Sequence, residues 1–237
     1  MSAPRRTAPG IGTWVLLLLS LLLVGMAAAA RADEPRSADR CLADPVVVVR
    51  AHGRPREARK LRLTHCDGRP NLDALAPLSI LARPHGLERP DQEALEAAPD
   101  EDHVAPGIHR LHPGLLARLQ ALADRWPGRR IEIVSGYRPD ARRTSRHHHG
   151  RALDLRVRGV SRREVSELAR TLDNTGVGFY PNSVFTHVDV RHRRAYWVDR
   201  SAPGEPPDYG PWPERDDERD RAKERILADA FEALDRL

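Results

Sequence analysis

Between residues 113 and 190 the apolar residues change their period several times, and this restricts the chain to a fold that mixes helices with a sheet. Leu115, Leu116, Leu119, Leu122 and Trp126 recur at helical spacing behind Pro113, and Pro127-Gly128 closes the run. Ile131-Glu132-Ile133-Val134 then reads as a strand entering the turn Ser135-Gly136-Tyr137-Arg138-Pro139, and Ala152–Val157 alternates as a second strand. Ser161-Arg162-Arg163-Glu164 has the capping-box pattern, with Val165, Leu168, Ala169 and Leu172 continuing a helix behind it. Gly176–Tyr180 reads as a turn into a last strand over Val184–Val190. Helix, strand, strand, helix, strand predicts an α+β domain, a small antiparallel sheet with packed helices, over 107–199.

The flanks divide the rest. Arg5 and Arg6 precede an apolar run from Trp14 to Met26 and the triplet Ala30-Arg31-Ala32, which predicts a secretory signal peptide over 1–32. An uncleaved anchor is the alternative, but the run is short of the ~20 apolar residues of a membrane span. No other stretch is apolar enough to span, so no stable membrane span is expected after cleavage. Residues 33–106 form a leading region. There Val46–Val49 and Leu61–Leu63, separated by polar Ala51–Lys60, predict a β-hairpin preceding the main domain. Cys41 and Cys66 bracket that hairpin at its open end. An even cysteine count in an exported chain favours a disulfide over two free thiols. Residues 200–237 begin as a proline-rich linker and end in an amphipathic helix with Ile226, Leu227, Ala230, Phe231, Leu234 and Leu237 on one stripe. That helix either docks on its own domain or binds a partner.

The net charge of +5 falls to about +2 once 1–32 is removed, because that segment carries three arginines and no acid. So small an excess argues against a nucleic-acid partner. Oligomeric state is not legible.

Chemistry concentrates in Ser145-Arg146-His147-His148-His149-Gly150-Arg151-Ala152-Leu153-Asp154 and, farther on, in His187-Val188-Asp189. A catalytic zinc takes three protein ligands and leaves one position open. His147, Asp154 and His187 supply that set. Gly150 lets the chain turn between His147 and the strand bearing Asp154, while His187 and Asp189, two apart on a strand, share a face. The same residues also read as a solvated basic loop and an ordinary hydrogen-bonded His-x-Asp pair. Tyr196 and Trp197 read either as core or as the wall of a groove, and core is the simpler reading.

Taken together, Ser135-Gly136-Tyr137-Arg138, Ser145-x-His147-x-x-Gly150-x-Ala152-x-Asp154, Gly176-Val177-Gly178-x-Tyr180 and Phe185-x-His187-x-Asp189 resemble the zinc D-Ala-D-Ala carboxypeptidase superfamily, in its MepK-like branch of exported murein peptidases. The resemblance covers about 107–199. It implies Zn²⁺ on His147, Asp154 and His187, and Arg138 as the cation that steadies the scissile carbonyl, a task suited to a permanently charged planar donor. It also implies peptidoglycan stem or cross-link peptides as substrate, and a periplasmic or cell-envelope location. Relatives carry an acid or His a few residues before the last ligand as general base. Here Ser183, Val184 and Phe185 stand in that region. Asp189 is the substitute, as base or as the carboxylate that orients His187, with His148, His149 and His192 behind it. Two other functions stay open: a zinc-dependent wall-binding module that does not cleave, and an envelope adaptor working through the C-terminal helix.

Overall fold

The computed structural model describes residues 41–52, 56–202 and 204–212, together with Ala222, Arg225 and Ile226. The signal-peptide expectation lies outside these residues, as does the C-terminal helix except for those last three, which are helical.

The chain is α+β, but its sheet is larger than expected and mixed. Ten strands are described: β1 (Val46–Arg50), β2 (Ala58–Leu61), β3 (His103–Ala105), β4 (Ile108–His109), β5 (Ile131–Ser135), β6 (Ala152–Val157), β7 (Thr175–Phe179), β8 (Thr186–Val190), β9 (Ala195–Asp199) and β10 (Tyr209–Gly210). Eight of them form one sheet in the order β10-β9-β7-β8-β6-β5-β1-β2, and β3 and β4 pair separately. β1 runs parallel to β5 and β7 parallel to β9; the other pairings in the sheet are antiparallel. The expected hairpin therefore does not precede the sheet but forms its edge. The four valines hold the reason. Val46, Val48 and Val49 are all buried, so β1 is covered on both faces, as a continuous apolar run requires and a free-standing hairpin cannot provide. The second hairpin strand also lies earlier than expected, at Ala58–Leu61. The Cys41–Cys66 disulfide closes the open end of the pair, with Cα atoms 5.4 Å apart.

Four α-helices are described: α1 (Leu75–Leu81), α2 (Gln92–Glu96), α3 (Gly114–Arg125) and α4 (Arg162–Ala169). α3 begins behind Pro113, and α4 carries the full capping box between Ser161 and Glu164. α1 has no counterpart in the sequence reading, because Pro77 looks like a breaker. It sits in the first turn, where a missing N–H leaves no bond unmade. Leu75, Leu78 and Leu81 of α1, Leu115, Leu116, Leu119 and Leu122 of α3, and Val165 and Ala169 of α4 pack on Val48, Ile131, Ile133, Leu153, Leu155, Val177 and Val188. Side chains alternate along a strand, so this core claims one face of the sheet. Asp154, His187 and Asp189 lie on the other. No helix among the described residues is long and apolar enough to cross a membrane.

Candidate metal centre

Antiparallel pairing of β6 and β8 places Asp154 directly opposite His187. His147 arrives from the turn-rich segment before β6. That segment closes at Gly150, whose φ of +61° is the left-handed conformation glycine adopts freely. Where β5 meets β6, the register slips between Ile133 and Ser135. This bulge turns the chain toward the site, and the Gly136 carbonyl accepts a hydrogen bond from His147 Nδ1 at 2.6 Å.

Three atoms converge: His147 Nε2 lies 3.1 Å from His187 Nδ1 and 3.2 Å from Asp154 Oδ1, and His187 Nδ1 lies 2.9 Å from that oxygen. All three residues are buried. The hydrogen bonds behind them decide what they offer. A carbonyl only accepts, so Nδ1 of His147 carries hydrogen and Nε2 of the neutral ring turns a lone pair inward. His187 Nε2 faces Asp189 Oδ2 at 3.1 Å. Burial opposes the charge on Asp189, but hydrogen bonds from His187 and Arg191 bring its pKa down to about 2. An ionised carboxylate only accepts, so Nε2 of His187 carries hydrogen and Nδ1 turns its lone pair inward. Two neutral imidazoles and a carboxylate thus present three lone pairs to one point, an arrangement that repels itself unless a cation sits there.

Burial disfavours charge on His187, but its hydrogen bonds to Asp154 and Asp189, and their charges, raise its pKa. Burial likewise disfavours ionised Asp154, and His147 and His187 outweigh it, holding its carboxyl far below the ordinary range. The donor set also fits a metal: tetrahedral ligands about 2.0 Å from zinc stand about 3.3 Å apart, close to the three distances found.

The other expected residues fall in different places. Arg138 is at the rim, half exposed, with Nη2 3.7 Å from Asp154 Oδ2. Asp189 lies behind His187, fully buried, and both of its oxygens are held by Arg191 at 2.6 and 2.7 Å. It meets Nε2 of His187, the nitrogen turned away from the converging atoms. His148 and His149 bond the Pro139 and Arg143 carbonyls of their own segment, and His192 is exposed. None of the three joins the group.

Two features of the site are not evident from the sequence. Gly176–Phe179 is strand, not turn. In β7, Gly178 pairs with His187 on one side and Trp197 on the other, and a Cβ there would lie 2.7 Å from Tyr180 Cε2 and 2.8 Å from the Trp197 ring. Gly176 likewise leaves room for Asp189 and Arg191. The glycines admit side chains over the strand; they do not bend it. Trp197 is also not core. Its ring centroid is 5.2 Å from that of His187, and its Nε1 donates to Tyr180 Oη at 3.1 Å. Burial pushes the Tyr180 phenol up to about 12. Tyr196 points to the opposite face and is 59% exposed, with the Arg170 guanidinium 4.1 Å from its ring centroid.

Residues 100–197 match the family described as peptidoglycan L,D-endopeptidase MepK. That segment holds every residue of the group just described, and over it the resemblance to the zinc D-Ala-D-Ala carboxypeptidase superfamily in its MepK branch stands. The chain is 35% identical to the probable peptidoglycan L,D-endopeptidase MepK of Haemophilus influenzae over a stretch covering 35% of this chain and 52% of that protein. It is 33% identical to the peptidoglycan L,D-endopeptidase MepK of Escherichia coli K12, covering 40% of this chain and 59% of that protein. The chain thus spans about half the length of these relatives.

Proposed function

We propose that this protein is an exported zinc peptidase that hydrolyses peptide bonds of peptidoglycan in the cell envelope, with the 107–199 region as its catalytic unit. The observation that carries the reading is the buried convergence of His147 Nε2, His187 Nδ1 and Asp154 Oδ1, three potential ligand atoms 2.9–3.2 Å from one another. The name shared by the relatives supplies the bond class, an L,D-peptide link within the wall polymer.

A zinc ion held by His147, Asp154 and His187 would supply Lewis acidity and water acidified to a pKa of roughly 7. The chain's own residues do the rest. The Gly136 carbonyl and the Asp189–Arg191 pair fix the two imidazoles in the tautomers that face inward. Arg138, at the rim beside Asp154, holds the substrate carbonyl and the negative charge that grows on it. Trp197 and Tyr180 wall the β7–β9 side. Asp189 orients rather than transfers the proton, since it is fully buried and meets the His187 nitrogen that is turned away from the converging atoms.

The test is elemental analysis of the purified protein, combined with mass spectrometry of muropeptides incubated with it. We expect one zinc per chain and cleavage that a chelator abolishes. His147→Ala, Asp154→Ala and His187→Ala should each lose both. Full zinc content in all three variants would defeat the ligand assignment. Zinc without release of fragments from any muropeptide would defeat the hydrolase.

A further inference from the structure

We propose that the Tyr180 hydroxyl is a second donor to the substrate, hydrogen-bonding the oxygen that gains charge from the side of the site opposite Arg138. This rests on the peptidase reading above. Tyr180 directly follows β7. Its ring lies over Gly178, on the face that carries His187, with the Phe185 ring 5.1 Å away centre to centre. The site reads across the strands as Trp197 on β9, Gly178 on β7, His187 on β8, Asp154 on β6 and the turn bearing Arg138 after β5. Tyr180 and Arg138 therefore flank the converging ligands.

The hydrogen bond from Trp197 determines what Tyr180 can do. An indole N–H only donates, so at 3.1 Å the phenol oxygen is the acceptor. The phenol's own proton remains, and no carbonyl, carboxylate or hydroxyl among the described residues accepts it. A hydroxyl that is mostly buried beside a metal-ligating group, with its oxygen engaged and its proton unused, is a donor without a partner in the protein. Substrate is what can reach it. At neutral pH a phenol keeps its proton, its ordinary pKa being about 10, so the group contributes a neutral hydrogen bond that strengthens as negative charge develops on the acceptor. Trp197 acts through Tyr180 as a positioning residue.

Tyr180→Phe keeps the ring against Gly178, Phe185 and Trp197 and removes only the donor. Zinc affinity should stay at the wild-type value, measured by competition with a chromogenic chelator. On muropeptide, kcat should fall about 10²-fold, the scale for losing one donor to an oxyanion, with KM within a few-fold. By calorimetry, a phosphinate analogue of the cleaved peptide, whose oxygens imitate the tetrahedral state, should bind weaker by a similar factor. A variant with wild-type kcat and phosphinate affinity overturns the proposal and leaves the peptidase reading intact. A variant that loses zinc shows a structural role and overturns it too. Wild-type protein that holds no zinc, or that neither cleaves muropeptides nor binds the phosphinate, overturns the peptidase reading and this inference with it.

Discussion

Asp189 accepts from His187 Nε2 on one side and from two guanidinium nitrogens of Arg191 on the other. Asn at this position would turn an amide N–H₂ toward one of those donors. Asp189→Asn should therefore lower zinc affinity by about 10–100-fold, the range for losing a partner behind a metal-bound His, and a chelator competition measures it. Unchanged affinity with lost turnover would instead return the proton-transfer role to Asp189. Arg138→Ala should separate the other way, with zinc content intact and kcat lower by about 10²–10³-fold. The three candidate ligands were legible in the sequence because each stands in a local pattern: a turn closed by Gly150, and two strands whose alternation puts polar side chains on one face. Tyr180 and the Gly136 carbonyl were not, and Trp197 stood between core and groove wall with core the simpler choice. Their positions depend on which strand lies beside which, and one strand's periodicity does not contain that. The Gly176 and Gly178 pair was the available signal, since two glycines spaced by two on a strand leave one face bare.

β7 holds the centre together by having so little side chain. Gly178→Ala would drive a methyl group to 2.7–2.8 Å from the Tyr180 and Trp197 rings, and overpacking of that kind costs about 1–3 kcal/mol. The expected result is a lower melting temperature, read by circular dichroism, with weaker zinc binding because His187 is the cross-strand neighbour. An unchanged melt would mean that the two rings give way freely. Elements with local punctuation were legible: α3 between Pro113 and Pro127-Gly128, α4 behind its capping box, and β5, β6 and β8 by their alternation. β9 was missed because Ala-Tyr-Trp-Val-Asp alternates between two aromatic rings that both read as core. α1 was missed because a proline in a first turn looks the same in sequence as a proline that ends a helix.

Across the whole molecule, the leading region serves as part of the sheet. Arg50 at the end of β1 donates to the carbonyls of Leu81, Arg83 and Pro84, tying the edge of the sheet to the end of α1. Arg83 in turn pairs with Glu57 at the start of β2. Burial opposes ionisation of Glu57, but the hydrogen bond and charge of Arg83, then Arg89 and Arg50, outweigh it and lower its pKa. The stabilisation is therefore complete above the ordinary glutamate value of about 4.3 and is lost as pH falls through the lower folded value. Wild type should melt higher than Glu57→Gln at pH 6, and the gap should close as the buffer is taken toward pH 3. A gap that is the same at both ends would place the stabilisation elsewhere. The two margins of the sheet also differ from its interior. β2 presents Arg59 and Lys60, and β10 is two residues long, with Pro211 just beyond it. Among the described residues, cationic side chains and a short final strand give an incoming chain little to zip onto at either margin of this sheet, so crowded copies gain little by pairing there.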